Sequence, residues 1–208
     1  MNAVILCDGE VPDSSVLRNE ISKCDFFITA DGGANTALKM NLNPDIIIGD
    51  MDSYSPTGDE CAEIIHDKNQ ETNDLEKALN YAKKKEATDI IVFGATGKRL
   101  DHTLKNLSVL KQFHSAFNTL IFKDKYSVIF LIKSPFTKKF PIGTSLSLFP
   151  LSGRVDGITT KGLQYPLNDE FLENGVRDGT SNKTVEKKVE IEFKNGDLLL
   201  FINHRKDS

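Results

Sequence analysis

The sequence predicts an α/β protein: an amino-terminal, mostly parallel α/β domain followed by a small antiparallel all-β domain. Three observations carry this. Over residues 1–125, short apolar runs alternate with stretches of helical periodicity, the pattern of strands joined by crossover helices. From residue 126 to 208 no helical period recurs, and the apolar or alternating runs are punctuated by glycine and proline, which suits a sandwich or a barrel-like unit. Between the two, Lys123-Asp124-Lys125-Tyr126 is neither a flexible linker nor a low-complexity stretch, so the boundary falls at 125/126.

Taken in order, residues 3–7 form a buried strand ending at Asp8-Gly9. Beyond Pro12, Ser14 is placed to cap a short helix through Val16, Leu17 and Ile21. Residues 25–30 are the second strand and run into Asp31-Gly32-Gly33-Ala34-Asn35, with a helix through Leu38 and Met40 beyond. Ile46-Ile47-Ile48, three β-branched residues between Pro44 and Gly49, suits a short strand buried on both faces. Ser55-Pro56-Thr57-Gly58 reads as a loop and residues 63–66 as a short strand. Asn73-Asp74-Leu75-Glu76 has the form of a capping box. Leu75, Ala78, Leu79 and Ala82 follow at helical spacing, and Lys83, Lys84 and Lys85 sit where cations favour the helix dipole. Residues 89–93 form a strand that closes at Gly94-Ala95-Thr96-Gly97, and Leu104, Leu107, Leu110 and Phe113 mark the face of the next helix. The remaining strands are expected at 120–122, 127–132, 145–151, 154–160, 185–193 and 198–202.

Composition excludes several function classes. A hydrophobic content of 39% and a charged content of 27% are those of a soluble globular protein. A net charge of -4 and a pI near 5.6 argue against a nucleic-acid surface. No apolar run approaches the ~20 residues of a membrane helix, and residues 3–7 are too short for a signal peptide. Cys7, Cys24 and Cys61, odd in number and widely spaced, fit reduced thiols and a cytoplasmic location. Four scattered histidines without a C-x-x-C pattern leave no structural zinc site to expect.

In an open parallel sheet, ligands bind beyond the carboxyl ends of the strands. Those ends carry Asp8, Asp31 with its glycines, Asp50 with Asp52, and the segment from Gly94 to Gly97. If the chain stays extended after Gly49, Asp50 and Asp52 project to one side. Their repulsion is then relieved by a shared divalent cation with oxygen ligands. The same residues also fit an ordinary acidic turn. Glycines admit phosphate oxygens to backbone N–H groups, and the acids would hold the Mg²⁺ that neutralises those phosphates. Gln70, Asn73, Asp74 and Lys77 cluster at a helix start, where capping explains Asn73 and a solvated surface explains Lys77 equally well. Arg99 suits a phosphate, although Gly97-Lys98-Arg99-Leu100-Asp101-His102 also fits a helix start capped by Asp101. Neither G-x-x-x-x-G-K-[ST] nor G-x-G-x-x-G occurs.

Taken together, D-G-G-A-N at 31–35, G-D-M-D-S at 49–53, Q-E-T-N-D-L-E-K-A at 70–78, G-x-x-G-x-R-x-D-H at 94–102 and T-S-N at 180–182 resemble the thiamine pyrophosphokinase (thiamin diphosphokinase) family. The order and spacing span most of the chain. The resemblance implies an α/β nucleotide domain joined to a β-sandwich, a homodimer, and Mg²⁺-dependent transfer of the pyrophosphoryl group of ATP to the hydroxyethyl oxygen of thiamine, releasing AMP. It further implies that Asp50, Asp52 and Asp74 surround Mg²⁺–ATP, with Asp31 and Asn35 in the same cleft and Gln70, Lys77, Arg99 and Asp101 in the active site. Ser181 and Asn182 match the segment that meets thiamine across the dimer interface. The sequence departs from the family pattern at Met51, where Phe is frequent, and at Asn73, where Thr is usual. At Tyr165 the family commonly has Trp, and an aromatic ring there can still stack on a flat cationic ring. Asp74 or Asp101 would accept the alcohol proton. Two rivals remain: a Mg²⁺-dependent nucleotide hydrolase on the same scaffold, and a catalytically silent ligand sensor. The number of acids argues against the sensor, and thiamine-dependent AMP release separates the hydrolase.

Overall fold

A computed structural model describes residues 1–56, Gly58 and 61–204. The chain forms two compact units, Met1–Lys125 and Tyr126–Ser208. In the first unit, six parallel strands are β1 (Asn2–Leu6), β2 (Phe26–Ala30), β3 (Ile46–Gly49), β4 (Glu63–His66), β5 (Asp89–Phe93) and β6 (Thr119–Lys123). They lie in the order β6-β5-β1-β2-β3-β4. Every residue of β2 and β3 is buried, as expected of central parallel strands read as continuous apolar runs. The chain steps outward from β1 to β4 and then returns to the other side of β1, so a topological switch point lies between β1 and β5.

The helices are α1 (Ser14–Ile21), α2 (Gly33–Lys39), α3 (Asp74–Lys84) and α4 (Leu100–Phe113). Asn73 caps α3 in a full capping box: its side chain accepts the Glu76 N–H while the Glu76 side chain accepts the Asn73 N–H. Three local expectations are corrected. Helix α1 begins at Ser14 itself, because Asp13 holds the extended backbone of a cap position, and no side chain caps it. At α4 the cap position belongs to Arg99, and Asp101 lies within the first turn. The buried side of α4 is Asn106, Val109, Leu110 and Phe113, whereas Leu104 is 59% exposed. Leu110 and Phe113 are buried as expected, but leucines at i, i+3 and i+6 drift around a 3.6-residue helix, which leaves Leu104 outside the inward face. Of the expected 55–58 loop, Thr57 lies outside the described residues.

The second unit contains β7 (Ser127–Leu131), β8 (Phe136–Lys139), β9 (Ser145–Pro150), β10 (Val155–Lys161), β11 (Glu170–Leu172), β12 (Gly179–Lys183), β13 (Lys188–Glu192) and β14 (Leu198–Asn203). One antiparallel sheet runs β12-β9-β14-β7 and a second runs β11-β10-β13-β8. Leu146, Leu148, Leu198 and Leu200 of the first sheet share a core with Val155, Ile158, Val189 and Ile191 of the second. That shared core makes the unit a sandwich. Strands β8, β11 and β12 were not legible in the sequence: they are polar or only three residues long, and their pairing partners supply most of the apolar surface. No helix among the described residues is long and apolar enough to cross a membrane.

A single truncation tests the shared core. Leu148→Ala should destabilise the protein by about 2–5 kcal/mol in urea unfolding; a loss below about 1 kcal/mol would contradict full burial between the two sheets.

Candidate active site

The carboxyl edge of the first sheet opens into a cleft of about 310 Å³ whose lining includes Asp31, Asp52, Asp74, Lys98 and Arg99. Asp31 follows β2 directly and takes a left-handed backbone, φ 38°, a conformation that costs a non-glycine residue of order 1 kcal/mol or more. Its Oδ2 accepts the Ser53 N–H at 3.0 Å. Its Oδ1 is buried and has no hydrogen-bond partner among the described residues. Gly49, the last residue of β3, admits this side chain, since a Cβ there would lie 2.6 Å from the Cβ of Asp31. Burial, and then the neighbouring Asp52 carboxyl, push Asp31 up to about 6.

Two further carboxylates converge on it. One oxygen from each of Asp31, Asp50 and Asp74 lies within 4.8 Å of the others. Asp50 accepts a hydrogen bond from Gln70 Nε2 at 3.0 Å, which holds its carboxyl below the usual range. Asp74, the first residue of α3, accepts from Lys77 Nζ at 3.0 Å. The Lys77 side chain is only 2% exposed, so it is a buried counter-charge to Asp74 and not a solvated lysine. Three oxygen donors around one point, one of them buried and unpartnered, fit a hard divalent cation such as Mg²⁺.

Asp52 lies beside this cluster, exposed, with its carboxylate accepting from Ser53 Oγ at 2.8 Å. The extended geometry that would align it with Asp50 is not adopted, because Met51 between them is left-handed, φ 62°. Asn35 reaches the same loop, its Nδ2 donating to the Ser53 carbonyl at 2.8 Å. The D-G-G-A-N segment therefore grips the G-D-M-D-S loop from two residues, Asp31 and Asn35.

Lys98 and Arg99 enter the cleft from the loop after β5. Lys98 Nζ pairs with Asp8 at 2.9 Å. Arg99 makes a two-point contact with Asp101, through Nε at 3.1 Å and Nη2 at 2.5 Å. Arg99 holds the Asp101 carboxyl down to about 2. Gly9 and Glu10 spend their N–H groups on the carbonyls of Gly94 and Thr96, each at 2.8 Å. A Cβ on Gly9 would stand 2.2 Å from the Thr96 carbonyl oxygen, so this glycine serves loop pairing across the switch point and does not offer its N–H to a phosphate.

Behind the acids runs an amide relay that the sequence did not disclose. Asn73 Nδ2 donates to Asn106 Oδ1 at 2.9 Å, and Asn106 Nδ2 donates to the Ala95 carbonyl at 2.8 Å. It ties the start of α3, and so Asp74, to the loop that carries Lys98 and Arg99. The available signal was a buried polar residue on an apolar helix face beside Val109 and Leu110. In the second unit, Tyr165, Ser181 and Asn182 form one local group: the Asn182 side chain bonds the Tyr165 backbone, and Ser181 is left-handed, φ 59°.

Comparison with known proteins gives the family. The family model for the thiamin pyrophosphokinase catalytic domain matches residues 17–122, and that for the thiamin pyrophosphokinase vitamin B1 binding domain matches residues 134–198. Thiamine pyrophosphokinase 1 of Arabidopsis thaliana is 30% identical over 238 residues, covering 98% of this chain and 86% of its own. Thiamine pyrophosphokinase 1 of Oryza sativa subsp. japonica is 30% identical over 212 residues, covering 86% of this chain and 78% of its own. The structure of a thiamin pyrophosphokinase from Candida albicans superposes with a TM-score of 0.84 at 21% identity, covering 98% of this chain and 89% of that one, and is a likeness of fold.

The Asp31 carboxyl gives a pH signature. It ionises near about 6 in the folded chain against 3.8 for the ordinary group, so between those values the folded state binds more protons and stability falls as pH rises. Without divalent cations, the parent should lose roughly 2–3 kcal/mol from this group between about pH 4 and 6. Asp31→Asn should lack that loss, melt higher than the parent above about pH 7, and fail to gain stability from Mg²⁺. Thermal melts in EDTA and in Mg²⁺ check this; equal Mg²⁺ responses in the two proteins would contradict it.

Proposed function

Because the chain belongs to the thiamin pyrophosphokinase family, we propose that its cleft transfers the pyrophosphoryl group of ATP to the hydroxyethyl oxygen of thiamine, giving thiamine diphosphate and AMP. The observation that carries the site assignment is the convergence of Asp31, Asp50 and Asp74, one carboxylate oxygen of each within 4.8 Å of the others. The family membership supplies the substrates. ATP would lie along the carboxyl edge with its phosphates over these acids. Mg²⁺ held by Asp31, Asp50 and Asp74, with Asp52 alongside, would neutralise charge on the phosphates.

The chain's own groups do the rest. Gln70 orients Asp50, Lys77 orients Asp74, and the Ser53 N–H orients Asp31. Lys98 and Arg99, paired with Asp8 and Asp101, offer an ammonium and a guanidinium to phosphate oxygens. The alcohol oxygen of thiamine bonds to the β-phosphorus as the bond to the α,β-bridging oxygen breaks, and that electron pair leaves with AMP. Alignment and charge neutralisation supply most of the acceleration. For the alcohol proton the candidates are Asp74, paired with Lys77, and Asp101, which Arg99 holds well below the ordinary carboxylate range.

Tyr165, Ser181 and Asn182, within the vitamin B1 binding match, are assigned to the thiamine side. A flat cationic acceptor suits an exposed aromatic ring, and Tyr165 is 63% exposed. The working form is taken to be a homodimer in the cytoplasm; a solution molar mass of one chain would refute the dimer.

A mass-resolved assay with ATP, Mg²⁺ and thiamine, run beside one lacking thiamine, tests the reaction. Equal amounts of thiamine diphosphate and AMP, formed only with thiamine, are expected. ADP, or AMP released without thiamine, would establish the hydrolase instead. Asp52→Asn should cut turnover by roughly 100-fold or more with an unchanged melting temperature, since its side chain is exposed; unfolding of that variant would assign Asp52 to the fold.

A further inference from the structure

Asn182 is buried at 7% exposure, yet its side chain does not end in the protein interior for packing alone. Its Nδ2 donates to the Tyr165 carbonyl at 2.8 Å, and its Oδ1 accepts the Tyr165 N–H at 3.1 Å. One side-chain amide thus pairs with both backbone groups of a single residue, as a neighbouring strand would. Fixing the N–H and the C=O of one residue fixes its φ and ψ, and with them the direction of its Cα–Cβ bond. The same Oδ1 also accepts the Lys183 N–H at 2.8 Å, and Gln164 N–H donates to the Lys183 carbonyl at 2.8 Å, so the clamp is anchored on both sides.

The local backbone is built to aim this amide. Strand β12 shifts register against β9 between Gly179 and Asn182, and Ser181 sits in the shift with its left-handed φ of 59°. Its N–H is held by Ser147 Oγ at 3.0 Å. A bulge of this kind turns the next side chain to the other face, here bringing Asn182 under the segment Gly162-Leu163-Gln164-Tyr165. The Tyr165 ring itself projects outward, 63% exposed, with Gln164 Nε2 at 3.4 Å from its hydroxyl. An exposed aromatic ring on a tightly fixed backbone is a pre-set stacking surface, which lowers the ordering cost of binding a flat cation.

Resting on the function proposed above, we propose that Asn182 is a positioning residue for the acceptor. It acts through Tyr165, setting the ring against which the aromatic cation stacks, and its side-chain amide does not itself bind the acceptor.

The chain contains no tryptophan, so Tyr165→Trp installs a single fluorescent reporter at the clamped position. In that background, Asn182→Ala and Asn182→Asp are compared with intact Asn182; the aspartate keeps the acceptor for the Tyr165 N–H but loses the donor to its carbonyl. With Asn182 present, the reporter should show restricted motion by anisotropy and be quenched by thiamine. Asn182→Ala should lower the anisotropy and raise the half-quenching thiamine concentration roughly tenfold, with Asn182→Asp between. In the Tyr165 enzyme, Asn182→Ala should raise KM for thiamine while leaving KM for ATP unchanged, a split that general loss of stability would not produce. Unchanged anisotropy and unchanged thiamine midpoints in both variants would overturn the proposal. So would a reporter that thiamine fails to quench in a protein that still makes thiamine diphosphate. A protein that makes none would refute the underlying function, and this role with it.

Discussion

The structure depends most on burying one carboxylate. Asp31 follows a strand that is buried along its whole length, and its Oδ1 is buried with no hydrogen-bond partner among the described residues. Such an atom costs about 1–3 kcal/mol in a folded chain, and the surrounding sequence is arranged to keep it there. Gly49 gives up its Cβ to make room, Asp31 itself accepts a left-handed backbone, and the Ser53 N–H satisfies the other oxygen. Asp50 and Asp74 add negative charge to the same place when repulsion would favour dispersing it. On the function proposed above, a hard cation held by all three would relieve these local costs.

The positioning of that cluster comes from polar neighbours that hydrogen-bond its acids or the loop that carries them. Gln70 and Lys77 each hold one acid, and Asn35 joins Asp31 in fastening the loop between them. The Asn73–Asn106 relay couples the start of α3 to the cationic loop after β5, so the groups that carry negative and positive charge are braced against each other. In the second unit the same logic recurs at smaller scale, where Asn182 braces Tyr165. Side-chain amides suit this work because they donate and accept at once and carry no charge to compete with the site.

Much of this was legible in the sequence, and the failures have physical causes. Ile46-Ile47-Ile48 announced a buried parallel strand because both of its faces are covered, and Asn73-Asp74-Leu75-Glu76 announced its helix because capping is a local interaction. The acids were visible as residues at strand ends, but which of them converge was not. The left-handed φ of Met51 takes Asp50 and Asp52 out of the extended register, and the acids that converge are Asp31, Asp50 and Asp74. Strand β12 was hidden because Gly-Thr-Ser-Asn-Lys has no apolar pattern; its strand character comes from pairing with β9. The grip of Asn182 on Tyr165 joins residues 17 apart and exists only once the bulge at Ser181 has formed. Leu104 misled because a leucine on a helix reads as inward until the neighbouring elements show where inward is.

The proposed function rests on the three-carboxylate centre. The most direct measurement is the anomalous scattering of Mn²⁺ in crystals grown with a non-hydrolysable ATP analogue. A peak within about 2.5 Å of oxygens from Asp31, Asp50 and Asp74, in contact with the analogue's phosphates, is the result predicted. A peak held by Asp101 or Asp8, with Asp31 still unpartnered, would contradict the assignment of the centre.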